Sequence, residues 1–227
     1  MRRKNNIPRI IVGLDEAGRG PVIGPLVMVA LAVKEEDQKK LEWLGVKDSK
    51  LLSSQAREDL FERIHELVHD FRIEVIEPDA IDLTLQEASS NLNWLEAETS
   101  ARLVSELKGN RIILDCPSPN LKAYKQYVWD RLGEEAKKAE LVVEHKADVN
   151  HIVVSAASVI AKVIRDRSID HLKTELGIDF GTGYMSDPKT KEFLEKYHAT
   201  YPHLFRRKWQ SYKTVEEGKK QKKLGEF

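Results

Sequence analysis

The unbroken apolar run Ile10-Ile-Val-Gly-Leu14 leads straight into an acidic pair, Asp15-Glu16, and then into the turn Ala17-Gly-Arg-Gly-Pro21. A strand without polar alternation is buried on both faces, which puts it in the interior of a sheet covered by helices. A carboxylate is costly to desolvate unless something compensates it. An acidic pair at the end of such a strand therefore points to a bound cation or a proton-transfer role. The plainer alternative is an aspartate closing a turn, and the pair alone leaves both readings open.

Lys+Arg and Asp+Glu number 37 each in 227 residues, so the chain carries no global basic field. A nucleic-acid partner would have to be held by a local patch. Cys116 is the single cysteine, which excludes an internal disulfide and fits a reducing, cytoplasmic setting. The basic start, Met1 to Asn6, lacks a following apolar core of the secretory type, and no apolar run approaches bilayer length, so no membrane partner is expected.

Leu26 to Val33 reads as a second strand, joined to the first in a hairpin across the glycine-proline turns. Glu35 to Gly45 is a polar connection with room for a short helix. Ser53 to His69 has helical spacing, with Ser53 or Ser54 available as the cap. Phe71 to Ile76 alternates as a strand and stops at Pro78. Ala88 to Leu107 marks an amphipathic helix ended by Gly109, Arg111 to Leu114 a short strand, and Leu121 to Leu132 a helix. Leu141 onward is a further strand. A small-residue helix begins near Val149, with Ile152, Ala156, Val159 and Val163 on its buried stripe. From about Leu172 the chain is helical and polar. The mixture defines an α/β protein with a mixed sheet.

Asp15, Asp115 and Asp148 each follow an apolar strand. Where neighbouring strand ends lie side by side, these carboxylates meet at one edge of the sheet, the usual place for a site in α/β folds. Hard oxygen ligands of this kind suit magnesium or manganese rather than zinc. Taken singly, Asp115 also reads as a turn former and Asp148 as a helix cap. Adjacent strand residues point to opposite faces, so Asp15 and Glu16 can share a site only where the backbone bends near them.

The segment Asp15-Glu-Ala-Gly-Arg-Gly-Pro21 resembles the signature of ribonuclease HII, the type 2 ribonucleases H, and in particular the archaeal forms. Lys47-Asp-Ser-Lys-Leu51, His145-Lys-Ala-Asp148 with Val154-Ser-Ala-Ala-Ser158, and Gly183-Tyr184 leading into Ser186-Asp-Pro188 match in the same order, so the resemblance covers about residues 8 to 209. It implies a ribonuclease H-like mixed sheet flanked by helices with a C-terminal helical extension: a catalytic domain over 1–170, the extension over 171–215 and a flexible tail over 216–227. It also implies four catalytic, metal-binding acids at Asp15, Glu16, Asp115 and Asp148, a ribose-reading loop at Gly18, Arg19 and Gly20, and a substrate tyrosine at Tyr184. Met185 stands where the family is expected to have proline. Lys50 and Lys146 are candidate phosphate contacts. His145 and His151 are candidate helpers beside the acids, and Cys116 reads as a small buried side chain.

The activity implied is hydrolysis of the RNA strand of RNA–DNA hybrids and nicking of duplex DNA 5′ of an embedded ribonucleotide, leaving 3′-hydroxyl and 5′-phosphate ends. Two ions, Mg2+ or Mn2+, would stand about 4 Å apart. Glycines at 18 and 20 let backbone groups approach a 2′-hydroxyl where a side chain would collide. Rivals are a type 3 ribonuclease H, which carries an extra N-terminal module where only 14 residues precede Asp15 here, a resolvase-like nuclease, and a non-catalytic hybrid-binding protein. The end of the chain, Gln221-Lys-Lys-Leu224-Gly-Glu-Phe227, resembles the peptide that docks replication enzymes on the sliding clamp, proliferating cell nuclear antigen. Gln221, Leu224 and Phe227 are its expected contacts. The enzyme is expected to be a monomer.

Overall fold

The computed structural model describes residues 8–46, 53–87 and 89–224, with side chains through Gly218. Strands β1 (Ile10–Ala17), β2 (Leu26–Lys34), β3 (Asp70–Ile76), β4 (Arg111–Asp115) and β5 (Glu140–Glu144) form a mixed sheet in the order β3-β2-β1-β4-β5. The apolar opening run thus becomes the central strand, with Ile11, Val12 and Leu14 at most 2% exposed. β1, β4 and β5 are parallel, with Leu14 opposite Leu114 and Asp115 opposite Glu144. Their C-terminal ends therefore open on the same edge.

Nine helices lie among the described residues: α1 (Gln38–Trp43), α2 (Ser54–Leu67), α3 (Pro78–Thr84), α4 (Leu92–Ser105), α5 (Leu121–Arg131), α6 (Ala147–Asn150), α7 (Ile152–Leu176), α8 (Pro188–Tyr197) and α9 (Gln210–Leu224). Helix α3 departs from expectation. Pro78 ends β3, but it also starts a helix at its first position, where the missing N–H costs nothing and the fixed φ is already helical. The small-residue helix near Val149 is broken in two, because His151 is extended between α6 and α7.

Ser53, not Ser54, caps α2. Its Oγ accepts from the Ala56 N–H at 3.2 Å. Ser53→Ala should lower stability by about 1 kcal/mol and Ser54→Ala by less than about half of that, read from urea unfolding midpoints.

Two compact units emerge from the chain's own contacts: Met1–Glu16 with Met28–Glu74 and Glu96–Val163, and Ala17–Val27 with Val75–Leu95 and Ile164–Phe227. In the first, the start of α7 lies directly on β1. A Cβ on Gly13 would stand 2.7 Å from the Val153 carbonyl carbon and 2.8 Å from the Val154 nitrogen. The expected buried stripe of α7 proves wider than a stripe. Ile152 to Ala161 are all buried, Ser155 and Ser158 included, because the helix is enclosed rather than laid on a surface.

The second unit has an aromatic core. The Phe193 ring is 5.2 Å from Phe180, 4.9 Å from Tyr197 and 5.7 Å from Phe205, with Val22, Ile23, Ile169 and Leu204 buried in the same cluster. No helix among the described residues is long and apolar enough to cross a membrane.

Candidate active site

Carboxylate oxygens of Asp15, Glu16 and Asp115 lie within 4.8 Å of one another at the C-terminal ends of β1 and β4. The difficulty of putting two adjacent strand residues in one site is met by the short Asp15 side chain. It turns along the backbone, and its Oδ1 accepts from the Glu16 N–H at 2.8 Å. Asp15 is 6% exposed, and burial, reinforced by the charges of Asp115 and Asp148, pushes its carboxyl up to about 7, against hydrogen bonds from Ser158 and the Glu16 N–H.

Asp115 is held to the end of the neighbouring strand. Its Oδ1 accepts from the Ala147 N–H at 2.6 Å, and the next residue, Cys116, donates its N–H to the Glu144 carbonyl at 2.9 Å. Asp148, in the first turn of α6, is outside the three-acid cluster, although its charge acts on Asp15. Its carbonyl accepts from the Ser155 hydroxyl, which ties α6 to α7.

Ser158 and Lys162 escaped the sequence reading as members of the site. Ser158, buried on α7, hydrogen-bonds Asp15, and Lys162 Nζ donates to Ser158 Oγ at 2.8 Å. Ser158 closes the Val154-to-Ser158 segment that carries the family resemblance, but no role beside the acids was attached to it there, and Lys162 lies outside every motif. His145 Nδ1 is 2.9 Å from the Cys116 carbonyl and His151 Nε2 is 2.9 Å from Glu144 Oε1, so each imidazole supports the surrounding loops. Cys116 is buried, as expected. Lys146 is exposed and in the left-handed region at φ 58°. Lys50 lies outside the described residues, as do Phe227 and the side chains of Gln221 and Leu224; the α9 backbone continues to Leu224.

The other motifs fall in the second unit. Gly18 has φ +83°, and a Cβ there would stand 2.6 Å from the Pro25 carbonyl oxygen. Arg19 Nη2 donates to Asn93 Oδ1 at 2.6 Å. Tyr184 is half-buried beside Gly20, whose added Cβ would come 3.6 Å from its ring, and Arg165 Cζ sits 4.9 Å over that ring.

Met185 packs on the aromatic core, and the turn is held by the Asp187 N–H, which donates to the Tyr184 carbonyl at 3.0 Å, and by the Thr182 N–H, which donates to Asp187 Oδ2 at 2.8 Å. A residue absent from the sequence reading, Arg206, is fully buried against the glycine loop. It donates to the carbonyls of Gly18 at 2.5 Å, Arg19 at 2.9 Å and Gly24 at 3.1 Å.

An all-oxygen carboxylate cluster at the C-terminal edge of parallel strands defines an α/β protein fitted to hold hard divalent cations. The Ribonuclease HII family model matches residues 12–212, and the chain belongs to that family; it is a hydrolase of the ribonuclease H type. The Ribonuclease HII of Pyrococcus abyssi (strain GE5 / Orsay) is 43% identical over 219 residues, covering 94% of each chain. Among solved structures, ribonuclease H2 from Pyrococcus horikoshii OT3 is similar with a TM-score of 0.83 and 39% identity, over 92% of this chain and 97% of that one. The RNase HII of a PCNA:RNase HII complex from Archaeoglobus fulgidus is similar with a TM-score of 0.78 and 37% identity, over 90% and 96%. Family membership carries with it the use of divalent metal, and the acid cluster has the donor chemistry for it.

Proposed function

We propose that this enzyme hydrolyses the RNA strand of RNA–DNA hybrids and nicks duplex DNA on the 5′ side of an embedded ribonucleotide, giving 3′-hydroxyl and 5′-phosphate ends, in the cytoplasm. The three-carboxylate cluster carries the reading, with membership of the ribonuclease HII family beside it. Magnesium or manganese, two ions per site, would supply an activated water and stabilise the leaving oxygen. Asp15, Glu16, Asp115 and Asp148 would together hold the ions, Asp15 from its place on the central strand, Glu16 through its carboxylate or its carbonyl, and Asp115 and Asp148 through their side chains.

The protein's own contribution is to aim these groups. Ser158, backed by Lys162, fixes one side of Asp15, and the Glu16 N–H fixes the other. The Ala147 N–H sets the rotamer of Asp115. Gly18, Arg19 and Gly20 read the 2′-hydroxyl through their backbone groups, Tyr184 stacks on the adjoining sugar, and Lys50 and Lys146 contact phosphates. The protein works as a monomer that engages the clamp through Gln221, Leu224 and Phe227.

A DNA duplex with one ribonucleotide tests the reaction, in magnesium, in manganese and in chelator. Metal-dependent nicking 5′ of the ribonucleotide is expected. Equal nicking of an all-DNA control, or none in either metal, would sink the proposal.

Cation binding should depend on pH. Below about 7 the Asp15 carboxyl is protonated, so a cation must displace the proton. Manganese affinity should rise by up to about tenfold per pH unit below neutrality and level off above it, with proton release read by calorimetry in buffers of different ionisation enthalpy. Affinity flat from about pH 5.5 to 8.5 would contradict this assignment. For the clamp, deleting residues 221–227 should abolish capture of this enzyme by immobilised sliding clamp while leaving nicking unaltered. Capture that survives the deletion would refute the peptide's role.

A further inference from the structure

We infer that Arg206 is a positioning residue for ribose recognition, a buried guanidinium that sets the Gly18-to-Gly20 backbone by binding its carbonyls; this rests on the reading of that loop proposed above. Arg206 has no solvent exposure and spends its side chain on carbonyl oxygens of the loop. Nη2 binds Gly18, Nη1 binds Arg19, and Nε binds Gly24 at the far side of the turn. The guanidinium also lies 5.0 Å over the Trp209 ring.

The backbone at position 206 completes the clamp. Its N–H donates to the Val22 carbonyl at 2.9 Å, the Gly24 N–H donates to the Leu204 carbonyl at 3.1 Å, and Ile23 bridges Phe205. From the other side, the Val22 N–H donates to the Gly183 carbonyl at 2.9 Å, immediately before Tyr184.

Burial, with the neighbouring charge of Arg165, brings the guanidinium down to about 9, still cationic at neutral pH. A buried cation whose side-chain hydrogen bonds go to carbonyl oxygens, helped by the charges of Asp82 and Glu77 and by the Trp209 ring, is a costly way to close a turn. Three separate nitrogens spread over a planar fork each take one carbonyl, and a lysine ammonium, whose donors share a single nitrogen, does not reproduce that spacing. The expense is intelligible where the orientation of the Gly18 and Arg19 peptide groups matters, since those groups face the sugar in the proposed function.

Arg206→Lys tests this, with Phe193→Leu, in the aromatic core of the same unit, as a control for general destabilisation. Hydrogen exchange is expected to speed up about tenfold over residues 18–24 in the lysine variant, with residues 111–114 unchanged. Binding is measured in calcium ions to duplexes with and without one ribonucleotide. The preference for the ribonucleotide duplex should fall about fivefold, with all-DNA affinity unchanged, and nicking should slow about 100-fold. Phe193→Leu should lose stability and keep the preference.

Unchanged loop exchange, or a preference retained in the lysine variant, would overturn the inference. Should that variant not fold, the guanidinium nitrogen spectrum of the wild type decides: resolved, slowly rotating Nη signals from Arg206 are expected, and averaged signals would overturn it. Absence of any ribonucleotide preference in the wild type would defeat the proposed reading of the loop instead, and the clamp would then stand or fall on the exchange data.

Discussion

Asp15→Asn is expected to lower metal-dependent nicking by about 10³-fold or more, roughly 4 kcal/mol in the barrier, because in the proposed mechanism Asp15 holds the metal and the variant removes its charge. The same substitution should stabilise the metal-free protein above neutral pH. The folded Asp15 carboxyl titrates near 7, raised from 3.8 by burial and by Asp115 and Asp148. The native chain therefore holds the proton more tightly than the unfolded chain, and that contribution to stability is full below about pH 4 and lost as pH rises through 7. Asparagine is neutral throughout and is nearly isosteric. Wild type and variant should thus unfold at similar temperatures near pH 4, and the variant should unfold higher at pH 8 in chelator. Single-turnover nicking and scanning fluorimetry at the two pH values read both effects. Full activity in the variant, or a variant less stable than wild type at pH 8, would contradict the role given to Asp15.

Gly13→Ala is expected to cost about 3 kcal/mol or more, the upper end of what overpacking usually costs. The added methyl would lie 2.7 to 2.8 Å from three backbone atoms of Val153 and Val154. Both residues are fully buried, so no flexible side-chain end can give way. The strand and α7 would have to separate, and α7 carries Ser158, the hydrogen-bond partner of Asp15. Activity should therefore fall along with the urea midpoint. Gly218→Ala on α9, where nothing stands within 4 Å of the new carbon, is the matched control and should be neutral or slightly stabilising. A Gly13→Ala midpoint within about half a kcal/mol of wild type would show that helix and strand separate more easily than the geometry implies.

Strands and helices with strong local patterns were legible from the sequence. The apolar opening run is the central strand, and Ser53 heads α2 as one of its two candidate caps. α3 was missed because Pro78 carries two meanings, the end of a strand and the first residue of a helix, and only the following chain direction separates them. Strand ends led to the expectation that Asp15, Asp115 and Asp148 share an edge; the cluster contains Asp15 and Asp115 at the ends of parallel strands, with Glu16 as its third member. Asp148 stands slightly apart, four residues beyond the end of β5 in a short helix whose placement depends on the break at His151.

The sequence by itself determined the family and the central strand and marked the acids at the strand ends, since those depend on local composition and on a contiguous signature. Tertiary structure alone decided what surrounds them. Ser158 reaches Asp15 only because Gly13 lets α7 come down onto β1. Arg206 reaches the glycine loop from the far end of the chain, and its partners there are carbonyl oxygens. Every residue has a carbonyl, so such a partnership leaves no pattern in the side chains and becomes visible only when the chain is folded.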